Sequence, residues 1–517
     1  MFRLPETRRT PRRGPLTTAL ALTTAAATLL TGCFAGSGGA PGSEGRPGNG
    51  GDAASGGRIR VAMMQPPRSG LSPLSDDAFK LSRWSTAETL VRLDPDGNAV
   101  PALATAWQRT GRTWTFTLRE GVTFHDGTPL TAEAVVRSLT TAARAAPKPR
   151  ILDGVELTTR ATGPGTVTIT TAADDPLVPQ RLSSPQLSIL AAKAYRGRTV
   201  NPVGAGTGPF VLVRADGTAS ATLDRYDRYW GGRPKAPGID VRYVPDGTAR
   251  AAALRSGEAD IVEAVPVSQA RLLDPDLITE VPMPRTNTLY LNTRRGPFKD
   301  PALRAAARRA VDARALVTGV YEGRADLAHG LLGPALPWAA ELRSPVRRPD
   351  APAAPRGTTV TLGTFTDRAE LPETAQLLQQ QLRKAGFTVE LDIREYAHIE
   401  ADALAGKFDA FVLSRATVLD SGDPAAYLYS DFASDGSFNI SQLAAPAVDR
   451  ALTTAAGTPA GDARRRAVLD AEAAVLATDA AVPMLHERVI QGEAAHVVDA
   501  AHDPRERELV TARTHLR

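Results

Sequence analysis

The stretch VLDSGDPAAYL, residues 418–428, sets two carboxylates, Asp420 and Asp423, three positions apart just after an apolar run. Such a pair could hold a metal ion, run acid/base chemistry, meet a cationic ligand or shape a turn. Asp423 precedes Pro424, and an Asp-Pro step also suits a helix start, with Asp at the N-cap and Pro in the first turn. Shortly before them, Arg415 could attract an anionic group. His125-Asp126 is a second candidate for metal chemistry. That pair lies in a turn followed by Gly-Thr-Pro, and the seven histidines are scattered without an HxH or HxxxH cluster. We therefore read His125-Asp126 as structural and expect neither a metal site nor a cofactor. The turn at Gly206, Gly208 and Pro209 lacks the GK[ST] of a phosphate loop, and no G-x-S-x-G nucleophile motif occurs. An enzyme is not expected, although paired carboxylates are also the equipment of glycoside hydrolysis.

Several elements must position these residues. RIRVAMM (58–64) reads as a strand. RTWTFTLREGVTF (112–124) reads as a hairpin, with Trp114, Phe116 and Leu118 on one face, a turn at Arg119-Glu120-Gly121, and Val122 and Phe124 on the return. Thr131 is placed to cap the helix that follows. The C-terminal half alternates strand and helix. A strand over 358–365 leads to a helix over 372–386 with the stripe Ala375, Leu378, Leu382 and Ala385. A strand at 387–393, a short helix near 398–405 and a strand at 408–414 follow. This alternation predicts a mainly parallel α/β sheet, in which ligands bind beyond the carboxyl ends of strands. Asp420 and Asp423 fall at such an end. The Pro-rich segment 348–357 reads as a surface connection.

At 517 residues the chain suffices for two or three domains. Its net charge is +5, but residues 1–32 hold five Arg against one Glu, so the remainder is close to neutral. No basic stripe stands out, which argues against a nucleic-acid partner. The arginines precede an apolar run at 16–30, too short to span a bilayer and suited to an export signal. It ends at Leu-Thr-Gly-Cys33, the only cysteine in the chain, and this resembles a bacterial lipobox. That resemblance implies a diacylglycerol on Cys33, anchoring the protein to the outer face of the cytoplasmic membrane. Ten of the next 24 residues are Gly, giving a tether with a reach of roughly 25–30 Å. With no second cysteine, the folded body has no disulfide to rely on.

Seven segments in order resemble one family. They are ETLVRLDPDGNAVPALATAW (88–107), FTLREGVTFHDGTPLTAEAVVRSL (116–139), GTGPFVL (206–212), DRYWGGRP (227–234), PDGTARAAALRSGEADI (245–261), YLNTRRGPFKDPALRAAARRAVD (290–312) and ATDAAVPM (477–484). The chain is similar over residues 58–490 to the extracellular solute-binding proteins of family 5, which serve oligopeptide, dipeptide and nickel ABC importers. The resemblance implies an α/β fold of two lobes, periplasmic-binding-protein-like (type II, class C), with an extra α+β domain inserted in lobe one. On that pattern 1–32 is the signal peptide and 33–57 the tether. Residues 58–91, 206–288 and 485–517 are lobe one, 92–205 the insert and 289–484 lobe two. The implied function is capture of a small solute, a short peptide first of all, between the lobes and its delivery to a membrane permease and its ATPase. A metal chelate, a charged amino-acid derivative or a surface interaction without transport is the alternative, and a monomer is expected. In peptide-binding members an Asp four residues before the Pro of a similar loop pairs with the ligand's ammonium, and Asp420 matches it. Arg368 lies near where dipeptide binders place an Arg for the ligand carboxylate. Together Asp420, Asp423, Arg415 and Arg368 form the expected ligand set. The chain departs from the family by lacking an aromatic at 414–417, before that Asp.

Overall fold

Two unusually long strands, Ile278–Leu291 and Ala481–Glu493, organise the molecule. They pair antiparallel in the middle of a continuous sheet, and the computed structural model describes residues 57–517 apart from 153, 198, 349–350 and 418–420. Asp420 and Cys33, with the export signal and nearly all of the tether, therefore lie outside the described residues. On one side of the central pair stand the strands Ala410–Ala416, Thr359–Phe365 and Thr388–Arg394; on the other stand Ile261–Val262, Ile59–Met63, Gly238–Tyr243, Ser220–Arg225 and Phe210–Asp216. Two apolar cores pack against the sheet. Leu289, Val360, Leu378, Val412 and Leu485 belong to the first, which also takes in Ala62, Leu254 and Val262 from across the central pair; Ile59, Trp84, Phe116, Ile169, Phe210 and Leu223 belong to the second.

The long strands change register between Pro282 and Thr286 and again between Asn287 and Thr288. The cause is local. Pro282 and Pro284 carry no backbone N–H, so the ladder cannot continue through them and the strand must shift. Before the break the strand pairs only with Ala481–Glu493; from Arg285 onward it also pairs with Ala410–Ala416. The break is thus where one lobe hands over to the other.

In the lobe built on Ala410–Ala416, Thr359–Phe365 pairs parallel with both Thr388–Arg394 and Ala410–Ala416, so the alternation in sequence does produce a parallel sheet. The crossover helix Glu370–Lys384 buries Leu371, Ala375, Leu378 and Leu382. Ala385, expected on that stripe, is instead the exposed C-cap. Residues 104–171 supply a separate four-stranded antiparallel sheet. Here the expected hairpin pairing is overturned: Thr113–Leu118 pairs with Ala104–Thr110 and Thr166–Thr171, not with residues 122–124. Gly111, at φ +58, makes the tighter turn on the other side of the strand. Val122 and Phe124 are still buried, but as a core-packing loop. Thr131 caps the helix Ala132–Ala143, its hydroxyl accepting from the Ala134 N–H at 3.3 Å.

Candidate functional site: a charged floor between the lobes

The register break brings charged side chains from distant parts of the chain to one place. Arg285 lies at the break and donates through Nε to Glu506 Oε1 at 2.8 Å. Arg83 donates through Nη2 to Glu506 Oε2 at 2.6 Å and through Nη1 to Glu263. Glu263 also accepts from the Met64 N–H at 2.8 Å. On the partner strand Glu487 falls within the break and accepts from Arg368 Nη1 at 3.1 Å and from the Tyr321 hydroxyl at 3.3 Å. Glu370, at the start of the crossover helix, reaches the other lobe, where its Oε1 accepts from the Val267 N–H at 3.4 Å. Arg83, Arg285 and Arg368 thus face Glu263, Glu370, Glu487 and Glu506, and Arg250 acts on Glu370 as well.

Burial and charge pull against each other here. Burial opposes ionisation of Glu506, but Arg285 and Arg83 outweigh it and hold the carboxyl at about 2. At Glu370 burial wins, with Glu487 adding repulsion, and the pKa rises. Burial works against the Arg368 charge, yet Glu487, Glu506 and Glu370 together raise its pKa.

These shifts fix a pH dependence. Glu506 is depressed in the fold, so its stabilisation is present above its ordinary 4.5 and lost as pH falls through about 2. Burial also pushes His125 and His486 down to about 4 from 6.5, so the fold holds them neutral. Their contribution is complete above pH 6.5 and is lost as pH falls toward 4, on the order of 3 kcal/mol each from the size of the shift. Thermal denaturation from pH 7 to pH 2 should therefore show Tm falling first over the histidine window and again below pH 4.5. His125→Gln, which keeps a donor for the Gly208 carbonyl, should flatten the first fall; an unchanged profile would contradict the assignment.

The sequence-derived candidates fall in different places. Arg368 sits on the charged floor. Arg415, opposite Thr286 in the strand register, is instead forked onto Asp431 at 2.7 and 2.8 Å and stacked over the Phe438 ring at 4.2 Å. Asp423 caps the helix Pro424–Phe432 through the Ala425 N–H at 2.8 Å and receives Arg464 at 2.5 and 3.0 Å. The loop carrying Asp423 abuts residues 95–98: a Cβ on Gly97 would stand 2.9 Å from the Gly422 carbonyl oxygen. A cavity of about 40 Å³ remains between Asp96–Asn98 and Gly422–Pro424, with Arg464 in its wall. That is room for little more than water. A larger hollow of about 210 Å³ lies elsewhere, beside Arg294, Ser434, Asn439 and Gln442, and the last three already bond within the protein. Among the described residues no group of three His, Cys, Asp or Glu side chains is placed to hold a metal ion.

The sequence motifs themselves meet in a separate junction. Glu88 accepts from Thr207 Oγ1 at 2.7 Å, Trp230 Nε1 at 2.9 Å and Tyr229 OH at 3.0 Å. His125 donates its backbone N–H to the Gly206 carbonyl, and its Nε2 lies 2.9 Å from the Gly208 carbonyl oxygen. Asp126 closes its own turn by accepting from the Thr128 N–H and hydroxyl. The residues easiest to notice in the sequence thus lock backbone segments together. Arg83, Arg285, Glu263, Glu370, Glu487 and Glu506 escaped notice because no short spacing links them; the one local signal available, unread in the sequence, was Pro282-Met283-Pro284 interrupting a strand-like run.

Comparison with known proteins agrees with this architecture. The family model described as bacterial extracellular solute-binding proteins, family 5 Middle, matches residues 98–439. The nickel-binding periplasmic protein of Escherichia coli K12 is 30% identical over 267 residues, 49% of this chain and 51% of its own length. The glutathione-binding protein of the same strain is 29% identical over 299 residues, 54% of this chain and 58% of its own. The chain thus spans about half the length of the curated relatives it matches. An ABC transporter-associated periplasmic binding protein of Helicobacter pylori, solved in complex with peptide STSA, shares the fold with a TM-score of 0.73 at 20% identity, covering 89% of this chain and 98% of that one. With a two-lobed fold joined by a pair of long strands and the family model matched over most of the chain, this protein belongs to the family 5 bacterial extracellular solute-binding proteins.

Proposed function

We propose that this chain is the solute-binding component of an ABC importer, anchored by lipid on Cys33 and delivering its solute as a monomer to a permease and ATPase. The observation that carries the reading is the floor of paired charges at the lobe junction of a family 5 protein. Such a floor suits a solute that presents both signs of charge, and a short peptide does so at its two termini. As the lobes close, water leaves, and each charge-assisted hydrogen bond to the solute gains strength. Arg368, with only Nη1 engaged by Glu487, is the group we assign to an anionic end. Asp420 is assigned to the ammonium on the strength of its place before Pro424. Arg415 and Asp423 are lesser candidates, since Asp431 and Arg464 already match their charges. A nickel chelate of amino acids is the second reading, favoured by the likeness to a nickel-binding protein.

Thermal shift of the full-length protein in detergent, against pools of free-amine peptides, their N-acetylated counterparts and nickel–histidine, separates these readings. The free-amine pool should raise Tm, and Asp420→Asn should weaken that pool about tenfold or more while sparing the acetylated one. No stabilisation by any peptide pool, with a shift on nickel–histidine, would replace the peptide reading by the chelate.

A further inference from the structure

The basic residues of the chain are unevenly spread. Residues 294–314 hold seven Arg or Lys against two Asp, although the chain after residue 32 is close to neutral. Two of the seven serve the fold. Arg304 is buried and donates to the Phe298 and Thr478 carbonyls, and Arg308 Nε lies 2.8 Å from buried Asp479. The other five, Arg294, Arg295, Lys299, Arg309 and Arg314, are exposed, and their charged groups have no partner among the described residues. They flank the two ends of the helix Pro301–Ala310, which is about 15 Å long.

Packing gathers more of the same sign. The Phe298 ring meets Phe387 at 5.8 Å, and Asp312 and Gln381 exchange hydrogen bonds at 3.0 and 3.2 Å. The last turn of the helix Glu370–Lys384, with exposed Lys384, therefore ends where Arg309 and Arg314 stand. The Ala353 N–H donates to the Ala302 carbonyl at 3.0 Å and the Gly357 N–H to the Gly386 carbonyl at 2.8 Å, which adds exposed Arg356. Coming from three segments, these cations form no stripe in the sequence. Carboxylates do not balance them. Asp300 and Asp312 start helices by accepting from the Ala302 and Ala315 N–H groups, and Asp409 accepts from the Thr361 N–H. Glu370 and Glu373 lie at the far end of the helix Glu370–Lys384, and Glu390 on the strand after it. Arg309 and Lys384 suit the negative ends of their helices. Arg294, Arg295 and Lys299 precede the positive end of Pro301–Ala310, where the dipole disfavours them.

We propose that this basic face, on the lobe built on Ala410–Ala416, docks on an anionic phospholipid surface. The proposal builds on the reading of Cys33 as a lipid anchor, which would keep the body beside phospholipid. The composition of the face favours lipid over a protein partner. Protein interfaces centre on buried apolar and aromatic anchors. The exposed large apolar side chains among the described residues, Val213, Leu272 and Tyr429, all lie off these elements. Exposed cations spread along a helix, each still in water, instead suit a diffuse array of phosphates, to which their attractions add.

The test uses the mature protein, purified from its membranes and reconstituted on vesicles of phosphatidylcholine alone or of equal parts phosphatidylcholine and phosphatidylglycerol. Cys33 is the only cysteine, so once it is lipidated Thr318→Cys, one turn from Arg314, gives a single thiol for a fluorescent donor. Glu258→Cys places the donor on the other lobe in a second preparation. Energy transfer to a headgroup acceptor reports how close each site lies to lipid. Transfer from 318 should rise about twofold or more on the anionic vesicles, fall back at high salt, and exceed any rise from 258. Arg309→Gln, Arg314→Gln and Lys384→Gln together should abolish the rise. Arg160→Gln, Arg196→Gln and Arg255→Gln, which remove three exposed cations elsewhere, should leave most of it. The Tm of each variant confirms the fold. No rise at 318 would overturn the lipid reading and leave an acidic protein surface as the occupant. Equal losses in the two triple variants would show an effect of net charge alone and also overturn it. Protein that fails to associate with phosphatidylcholine vesicles would overturn the anchor reading instead. Sedimentation with the anionic vesicles, compared between the two triple variants, would then decide the face by itself.

Discussion

Gly208→Ala is expected to yield almost no soluble, folded protein. A Cβ at this position would stand 1.9 Å from the Ser85 carbonyl oxygen and 2.8 Å from its carbon. Gly206 is as tight, with the Thr86 carbonyl oxygen at 1.9 Å. These neighbours are backbone, and they cannot swing aside as a side-chain tip could. Ser85 already stands at φ +51, held by its N–H to the Ser82 carbonyl and its hydroxyl to the Val510 carbonyl, beside fully buried Trp84. Relief would therefore require separating the 206–208 turn from the 85–86 segment, with loss of the Glu88 and His125 contacts. That places the substitution in the rare class costing more than about 4 kcal/mol. Gly165→Ala, where nothing lies within 4 Å, is the matched control and should be nearly silent. Expression yield and urea midpoints compare the two; a Gly208→Ala midpoint close to wild type would show that the close approach is not required.

Asp431→Ala should cost about 3–5 kcal/mol. Asp431 is fully buried, and burial raises its pKa even though Arg415 opposes the rise. Removing it leaves the Arg415 guanidinium between Phe438 and Tyr427 without its counter-charge. Breaking a buried pair is far worse than replacing both members, so Asp431→Leu combined with Arg415→Met should recover most of the loss. Urea denaturation of the two single variants and the double variant measures this directly. The series also bears on function. If Arg415 serves the fold, the double variant should bind solute as wild type does; if Arg415 held the solute's anionic end, stability would return and binding would not.

The elements visible in the sequence were those whose signals are local. The period-two strands and the stripe on the Glu370–Lys384 helix need only their own residues to declare themselves, and the parallel sheet follows from their alternation. The hairpin at 112–124 was mispaired because Gly111 and Gly121 both offer turns at the ends of Thr113–Leu118, and the choice between them is made by a strand some fifty residues away. The site was harder to read. Asp423 and Arg415 stood out by their neighbours in sequence, yet their charges are met within one lobe by Arg464 and Asp431. The groups that meet at the lobe junction come from positions 83, 263, 285, 368, 370, 487 and 506, and only the three-dimensional path of the chain joins them. Arg368 alone was reached from both directions.

The central claim is that two lobes, hinged where Pro282 and Pro284 break the long strand, close over a solute. It is tested most directly by a distance between them. In full-length Cys33→Ser protein, Glu258→Cys and Glu390→Cys place a spin label on an exposed position of each lobe. Electron–electron double resonance should give a broad distribution without peptide and a shorter, narrower one with the saturating free-amine pool. A distribution unchanged by peptide that demonstrably binds would contradict closure.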